Sequence, residues 1–592
     1  MPPRPSVSPP MKAAFEHFEA GRMDRAIETL RAILRRNPKD DQAQLLLGCA
    51  LFETHQDEAA AYALRQSVAA NPADGQRWVF LGRVLLRKEG PNAAIKLLED
   101  ALAGPLHNTR GAAPTSLILA QCYHRDNRLG DAIAACRRAV AIDPTLGPAL
   151  VQLGTTLFEA GEIEEAIAAM RQGVASNPND IRRLATYCFY LNYSDAVTPA
   201  EVFAAHRKVG EVASRLMPPP RPLAPNLTPG RPLRVGLVSG DFRQHSVRYF
   251  LPALLDHLDK SAFEIVLMSI TRQRDEQTEI LKAKAAGWVD ATDLDFAGFG
   301  ETVRKARPDI LIDLGGLTGG SRVIAFASRL APVQLTYLGY CNTSGIPNVD
   351  GRLVDAITDP PGAEAFATEP LIRLPECFLC YTPDAGAPEP AMPPAGTPIT
   401  FLSFNNSNKF SPTSIALWSR VLHAVPGSRL RLKSTPLSDP SVRATTFARF
   451  AAHQIDPARL DLLGRDDSAQ AHLAKYNTGH IALDTTPYAG TTTTCEALWM
   501  GVPVVTLRGQ VHAARVGASL VAAIGHPAWA AGDGDGFVRI ASELASSHDH
   551  LAALRASLRD QVAASTLCNA SAFAVRFGAA LHQLWSARTL AT

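Results

Sequence analysis

The chain has 592 residues, 46% of them hydrophobic, and a formal net charge of +2. That length exceeds one compact domain and calls for roughly three or four folding units. The balanced charge excludes a bulk electrostatic pull towards nucleic acid or anionic lipid, so neither is expected as a partner. The opening MPPRPSVSPP lacks the apolar core of a signal peptide, and no apolar run is long enough to cross a bilayer. A soluble cytoplasmic protein is expected, disordered over 1–10. The nine cysteines, an odd number scattered along the chain, form no disulfide framework. Cys377 and Cys380 make a single C-x-x-C without a second pair at zinc-ribbon spacing. They read as reduced thiols in a half-buried strand, F-L-C-Y, and no metal site is expected.

Residues 11–180 carry a repeat. Pro38, Pro72, Pro144 and Pro178 each follow a helical pattern, at spacings of 34, 72 and 34 residues. One more unit fits the long gap. Ala26, Ala60, Ala132 and Ala166 stand twelve residues before each proline, and Gly48, Gly82 and Gly154 share another register position. A 34-residue period with small residues at fixed places is the tetratricopeptide pattern, two antiparallel helices per unit stacked into an α-solenoid with a concave binding surface. The unit around Asn108 and Gly111 is irregular. Such repeats bind proteins, and they can also dimerise a chain, so a homodimer is left open.

Residues 181–216 stay helical but leave the repeat, as connecting helices. The proline-dense stretch 217–232 reads as a linker. Over 233–395 strands alternate with helices: 233–238, 263–269, 310–314 and 333–338 are strands. Their carboxyl ends run into S-G-D-F-R-Q-H-S, G-G-L-T-G-G and G-Y-C-N-T-S-G. A second proline-rich stretch, 382–398, precedes strands 399–403, 429–434, 460–463, 480–483 and 502–507 in a further lobe, 396–592. Apolar strands alternating with helices predict two doubly wound parallel lobes with loops gathered on their carboxyl edges.

The second lobe contains D-T-T-P-Y-A-G-T-T-T-T-C-E at 484–496, a strand end, a broken loop and a helix start. A helix opening above parallel strands aims free N–H groups and a positive dipole end into the crevice, which suits a diphosphate. Thr493 with Glu496 three residues on also fits a plain capping box. No G-x-G-x-x-G follows the first strand and no G-x-x-x-x-G-K-[ST] occurs, which argues against a dinucleotide enzyme and a P-loop ATPase.

Together, the repeats, the two lobes, Y-A-G-T-T-T-T-C-E, P-E-C-F-L-C-Y-T-P at 375–383, S-F-N-N at 403–406 and S-L-R-D at 557–560 resemble the O-GlcNAc transferase family, and its SPINDLY branch in particular. The resemblance implies an α-solenoid followed by a two-lobed catalytic region of the GT-B type, a double Rossmann-like fold. It implies a metal-independent, cofactor-free, inverting protein O-glycosyltransferase that uses a nucleotide sugar, UDP-GlcNAc or, as in SPINDLY, GDP-fucose. Acceptor proteins would be held by the repeats. By matched position, His245 lies beside sugar and acceptor, Lys409 neutralises the diphosphate, and Asn406, Thr492 and Thr493 contact the phosphates. His472 stacks on the base, Glu496 stands where an aspartate meets the ribose, and Leu338 and Gly339 bring backbone near the sugar. Lys409 is read as an exposed cleft lysine.

Three features depart from that pattern. Thr491 stands where O-GlcNAc transferases carry histidine, and Leu317 replaces an aromatic or histidine residue. The repeats also lack an asparagine ladder: Leu46, Phe80, Ile118 and Gln152 occupy its positions. An inactive repeat scaffold is the alternative from another class, against which the joint presence of His245, Lys409 and His472 speaks. No matched carboxylate stands out as the general base.

Overall fold

The computed structural model describes residues 8–220 and 223–590, and these divide into two compact units. The first, up to Asn177, is a run of paired helices from Pro9–Glu19 to Ile163–Ser176. Of the disorder expected over 1–10, residues 1–7 lie outside the described residues. The helix beginning at Pro9 corrects the rest, proline being favourable at a first helical position. The repeat prolines fall just past helix ends, and the next helices are capped by Asp40 on Ala43 N–H (2.9 Å) and Asp74 on Gln76 N–H (3.0 Å). The small residues lie at close helix contacts. Ala26, Ala60, Ala132 and Ala166 are fully buried. A Cβ at Gly48 would lie 2.4 Å from the Leu64 side chain, and one at Gly82 3.0 Å from Leu98.

The second unit holds two parallel sheets. The first comprises β1 (Leu233–Ser239), β2 (Phe263–Ser269), β3 (Gly287–Asp290), β4 (Ile310–Asp313), β5 (Val333–Thr336), β6 (Gly351–Asp355) and β7 (Leu371–Leu374), in the order β3-β2-β1-β4-β5-β6-β7. The second comprises β8 (Thr400–Ser403), β9 (Arg429–Lys433), β10 (Leu460–Leu463), β11 (Ile481–Leu483), β12 (Val504–Leu507) and β13 (Ala530–Ala531), ordered β10-β9-β8-β11-β12-β13. Strands β4, β5 and β8 are buried along their whole length, as parallel strands covered on both faces must be.

Helices Ile181–Leu191 and Pro199–Leu216 belong to this unit. His206 is buried and bonds Tyr340 Oη through Nε2 at 2.6 Å, and a Cβ at Gly210 would meet the Gly345 carbonyl at 1.9 Å. The two lobes are pinned together at the carboxyl end of β6. Ser519 Oγ donates to Asp355 (2.6 Å), His512 bonds Asp359 (2.5 Å), and Arg515 donates to the Ile357 carbonyl (2.6 Å). The helix Ala570–Leu590 returns from the second lobe to the first sheet, where Phe577 meets Tyr337 and His582 meets Phe263, at ring separations of 5.3 and 4.6 Å.

Several local expectations change. The strand expected to reach 338 ends at Thr336, because Leu338 takes a left-handed backbone, φ 71°. The helix expected at 250–258 is Pro252–His257, preceded by a 3₁₀ turn at Ser246–Tyr249. Cys377 and Cys380 lie in no strand and are fully buried rather than half-buried; burial pushes both thiols up to about 12. All nine cysteines are free. Among the described residues no helix is long and apolar enough to cross a membrane.

Candidate active site

In each sheet the chain leaves the first-formed strand to one side and returns on the other. The crevice at that reversal lies above the carboxyl ends of β8 and β11 in the second sheet. Loop 404–409 follows β8 and loop 484–491 follows β11. Asp484 anchors the latter: its buried carboxylate accepts from Gly490 N–H (2.7 Å) and Thr506 Oγ1 (2.8 Å). The next helix begins at Thr492, after Thr491 at φ −117°, ψ −78°, with no side-chain cap. By helix geometry its first N–H groups find no carbonyl in the chain before them. The capping-box reading therefore fails. Thr493 lies inside the helix and its Oγ1 donates to Asn405 Oδ1 (2.9 Å), while Glu496 turns to His472.

One cleft of about 430 Å³ is lined by all nine residues singled out from the sequence: His245, Leu338, Gly339, Asn406, Lys409, His472, Thr492, Thr493 and Glu496. Lys409 is half-buried rather than exposed. Its Nζ donates to the Ala489 carbonyl (2.9 Å) and sits 4.3 Å from the Tyr488 ring centroid. Burial lowers its pKa to about 8, against the opposing pull of Asp484. The cation is thus short of solvent and of close counter-charge, a state that an incoming diphosphate relieves.

His472 has both ring nitrogens engaged. Lys433 Nζ donates to Nδ1 (2.8 Å), so the ring proton sits on Nε2 and points to Glu496 Oε2 (3.0 Å). Lys433 in turn meets Asp466 at 3.1 Å. The ring is held by this chain and by Tyr476, edge-on at 5.7 Å.

On the first lobe, His245 caps the turn Ser246–Tyr249 through Nδ1, which accepts from Val247 N–H at 3.4 Å and lies 3.7 Å from Asp241. Burial lowers its pKa against the raising effect of Asp241, with Arg243 also lowering it, so the imidazole is neutral at pH 7. The Leu338–Gly339 turn exposes backbone to the cleft. Gly339 admits no side chain, since a Cβ would lie 2.0 Å from the Leu314 carbonyl.

Sequence reasoning missed Asn405, Lys433 and Tyr488, which also line the cleft. The carboxyl-end position of Lys433 on β9 was the signal available for it. Asn405 and Tyr488 are set by loop conformation.

Two parallel Rossmann-like lobes, with Lys409 and an open helix end on the second and a neutral histidine on the first, define a protein of the GT-B class. The family profile for glycosyl transferase family 41 matches residues 218–382 and 392–577, more than half of the chain, and tetratricopeptide profiles match 12–75, 81–146 and 123–186. The chain belongs to glycosyl transferase family 41, behind tetratricopeptide repeats. It is 39% identical over 404 residues to the probable UDP-N-acetylglucosamine–peptide N-acetylglucosaminyltransferase SPINDLY of Arabidopsis thaliana, a match covering 67% of this chain and 44% of that one. It is 27% identical over 339 residues to the probable enzyme SEC of the same plant, covering 55% and 34%. A mutant of the Thermobaculum terrenum O-GlcNAc transferase superimposes with a TM-score of 0.79 at 30% identity, over 87% of this chain and 98% of that one. The chain spans less than half the length of these curated relatives.

Proposed function

We propose that this chain is a cytoplasmic protein O-glycosyltransferase that moves a sugar from a nucleotide sugar to serine or threonine hydroxyls, with inversion. One observation carries the reading: Lys409 and the open helix end at Thr492 line the same cleft as His245 and the Leu338–Gly339 turn. A diphosphate seated against Lys409, Asn406, Thr492 and Thr493 puts the base beside His472, the ribose towards Glu496 and the sugar under the backbone of Leu338 and Gly339. The acceptor oxygen then attacks the anomeric carbon from the side away from the phosphate, and its hydroxyl proton passes to water. The carbon–oxygen bond to the nucleoside diphosphate breaks, and the charge released is met by Lys409 and the helix dipole. This does the work of a metal, so no cofactor is required. With Nδ1 accepting from Val247, His245 carries its proton on Nε2, which suits it to orient a hydroxyl more than to remove its proton.

The donor is UDP-GlcNAc by the names of the relatives. GDP-fucose is the second reading, favoured by Thr491, which lines the cleft where histidine stands in the O-GlcNAc transferases it resembles. The tetratricopeptide repeats present acceptor proteins. Incubation with each donor and a mixed peptide pool, read by intact mass, tests both readings, since N-acetylhexosamine and deoxyhexose add different masses. Absence of both transfer and donor hydrolysis, together with no binding of UDP or GDP, would leave only the repeat scaffold.

A further inference from the structure

The first sheet has the same strand order around its reversal as the second: β3-β2-β1-β4-β5 corresponds to β10-β9-β8-β11-β12. The loops after β1 and β4 therefore stand where, in the second lobe, the donor crevice lies. A cleft of about 510 Å³ opens there, lined by Gly240 and Arg243 after β1, Arg272 after β2, the 316–322 loop after β4, and Arg182 from helix Ile181–Leu191. Its lining has four arginines, Arg182, Arg243, Arg272 and Arg322, against two carboxylates, Asp241 and Asp293.

Those carboxylates are taken. Asp293 pairs with Arg272 at 2.7 Å and Asp241 with Arg243 at 3.6 Å. Arg182 has no carboxylate within ion-pair distance among the described residues. Among the described residues Arg322 donates only to the carbonyls of Gly320 (2.6 Å) and Leu294 (2.8 Å), and its Nε is buried without a partner. Burial and then the neighbouring charges of Arg182 and Arg272 lower its pKa. Two guanidinium groups thus line the cleft with no ion-pair partner among the described residues, Arg322 feeling only the longer-range pull of Asp293 and Asp295. The chain from Gly240 to Val247 lines this cleft with its first half and the donor cleft, at His245, with its second. An occupant here therefore lies next to the place where the acceptor hydroxyl must arrive.

The diphosphate already has a seat in the second lobe. The other substrate is a polypeptide, whose anionic groups are carboxylates. We infer that the arginine cleft of the first lobe receives an aspartate or glutamate of the acceptor segment, so that the enzyme prefers hydroxyls with an acidic residue nearby. This rests on the protein-transferase reading above.

The test uses the whole chain and two fluorescent peptides, one with glutamates flanking a single serine and one with alanines in their place. Binding is read by anisotropy and transfer by mass on the same samples. The acidic peptide should bind roughly tenfold tighter at low salt, the scale of one charge-assisted contact, and that margin should shrink as salt rises. Arg182→Glu and Arg272→Glu, both at exposed positions, should each erase the preference while leaving UDP and GDP binding unchanged. Lys260→Glu, exposed before the amino end of β2, controls for bulk charge and should leave the preference intact. Equal binding of the two peptides, or a preference that survives Arg182→Glu and Arg272→Glu, overturns the inference. A charge preference in binding that responds to these variants, without transfer from any donor, upholds the subsite and instead refutes the transferase reading.

Discussion

Removal of the Lys409 ammonium should separate function from stability. The group lies beside Tyr488 and Ala489 with a pKa held down to about 8 by burial. Lys409→Ala should lower transfer by about 10²–10³, or ~2.7–4 kcal/mol, the range for loss of one pre-positioned group facing developing negative charge. Stability should move the other way. The folded pKa is below the ordinary lysine value, so the unfolded chain binds more protons between about pH 8 and the usual lysine range near 10.5. Stability therefore rises with pH through that window, and below it the folded state carries the cost of a desolvated cation. Allowing for partial exposure and for the lost bond to Ala489, relief of about 1–2 kcal/mol is expected at pH 7. The thermal midpoint of the variant should equal or exceed the parent's. Nucleoside diphosphate binding should also take up protons: about half a proton at pH 8 and almost none at pH 6, since an anion beside the lysine restores its charge. Calorimetric titration in buffers of different ionisation enthalpy measures this. Transfer within about tenfold of the parent, ~1.4 kcal/mol, or proton uptake that persists in Lys409→Ala, would refute the assignment of Lys409 as the phosphate counter-charge.

Three further outcomes are expected. His472→Ala should weaken UDP and GDP binding by about five- to a hundredfold, the worth of one stacked base, and unchanged affinity would remove His472 from the site. His472→Phe should recover little of this, because Lys433 and Glu496 both lose the ring nitrogen between them. Asp241→Asn removes the group that raises the His245 pKa, so the acid limb of the pH–rate profile should shift to lower pH; an upward shift would show that Asp241 does not face the imidazole. Gly339→Ala forces a Cβ against the Leu314 carbonyl and should cost about 1–3 kcal/mol of stability, measured by urea unfolding, with loss of donor binding.

Much of the architecture was legible because burial on both faces leaves its mark on composition. Strands such as β4 and β5 are continuous apolar runs, and the repeat period is set by helix pairs too small to stand alone. The strands β3, β6, β7 and β13 escaped notice, being short or, like Arg352 in β6, interrupted by charge. At the site, the family resemblance pointed by matched position to the nine cleft residues, but not to their states. A lysine in a strand-end loop reads as solvated, whereas Lys409 is boxed in by Tyr488 from a loop far along the chain. Thr493 and Glu496 have capping-box spacing, and only the start of the helix at Thr492 shows that their side chains go elsewhere. Lys433 shares the alternation of Arg429 and Arg431, which meet Asp461; its different role comes from lying last on β9.

The return of helix Ala570–Leu590 to the first sheet governs how this molecule can be made. A ribosome delivers β1 to β7 long before the helix that covers Phe263 and Tyr337. Until then that face is an uncovered apolar surface, prone to capture by neighbouring chains. The first lobe should therefore mature only together with the second. Expressed alone it should aggregate, and co-expression of the remaining segment should bring it back into solution.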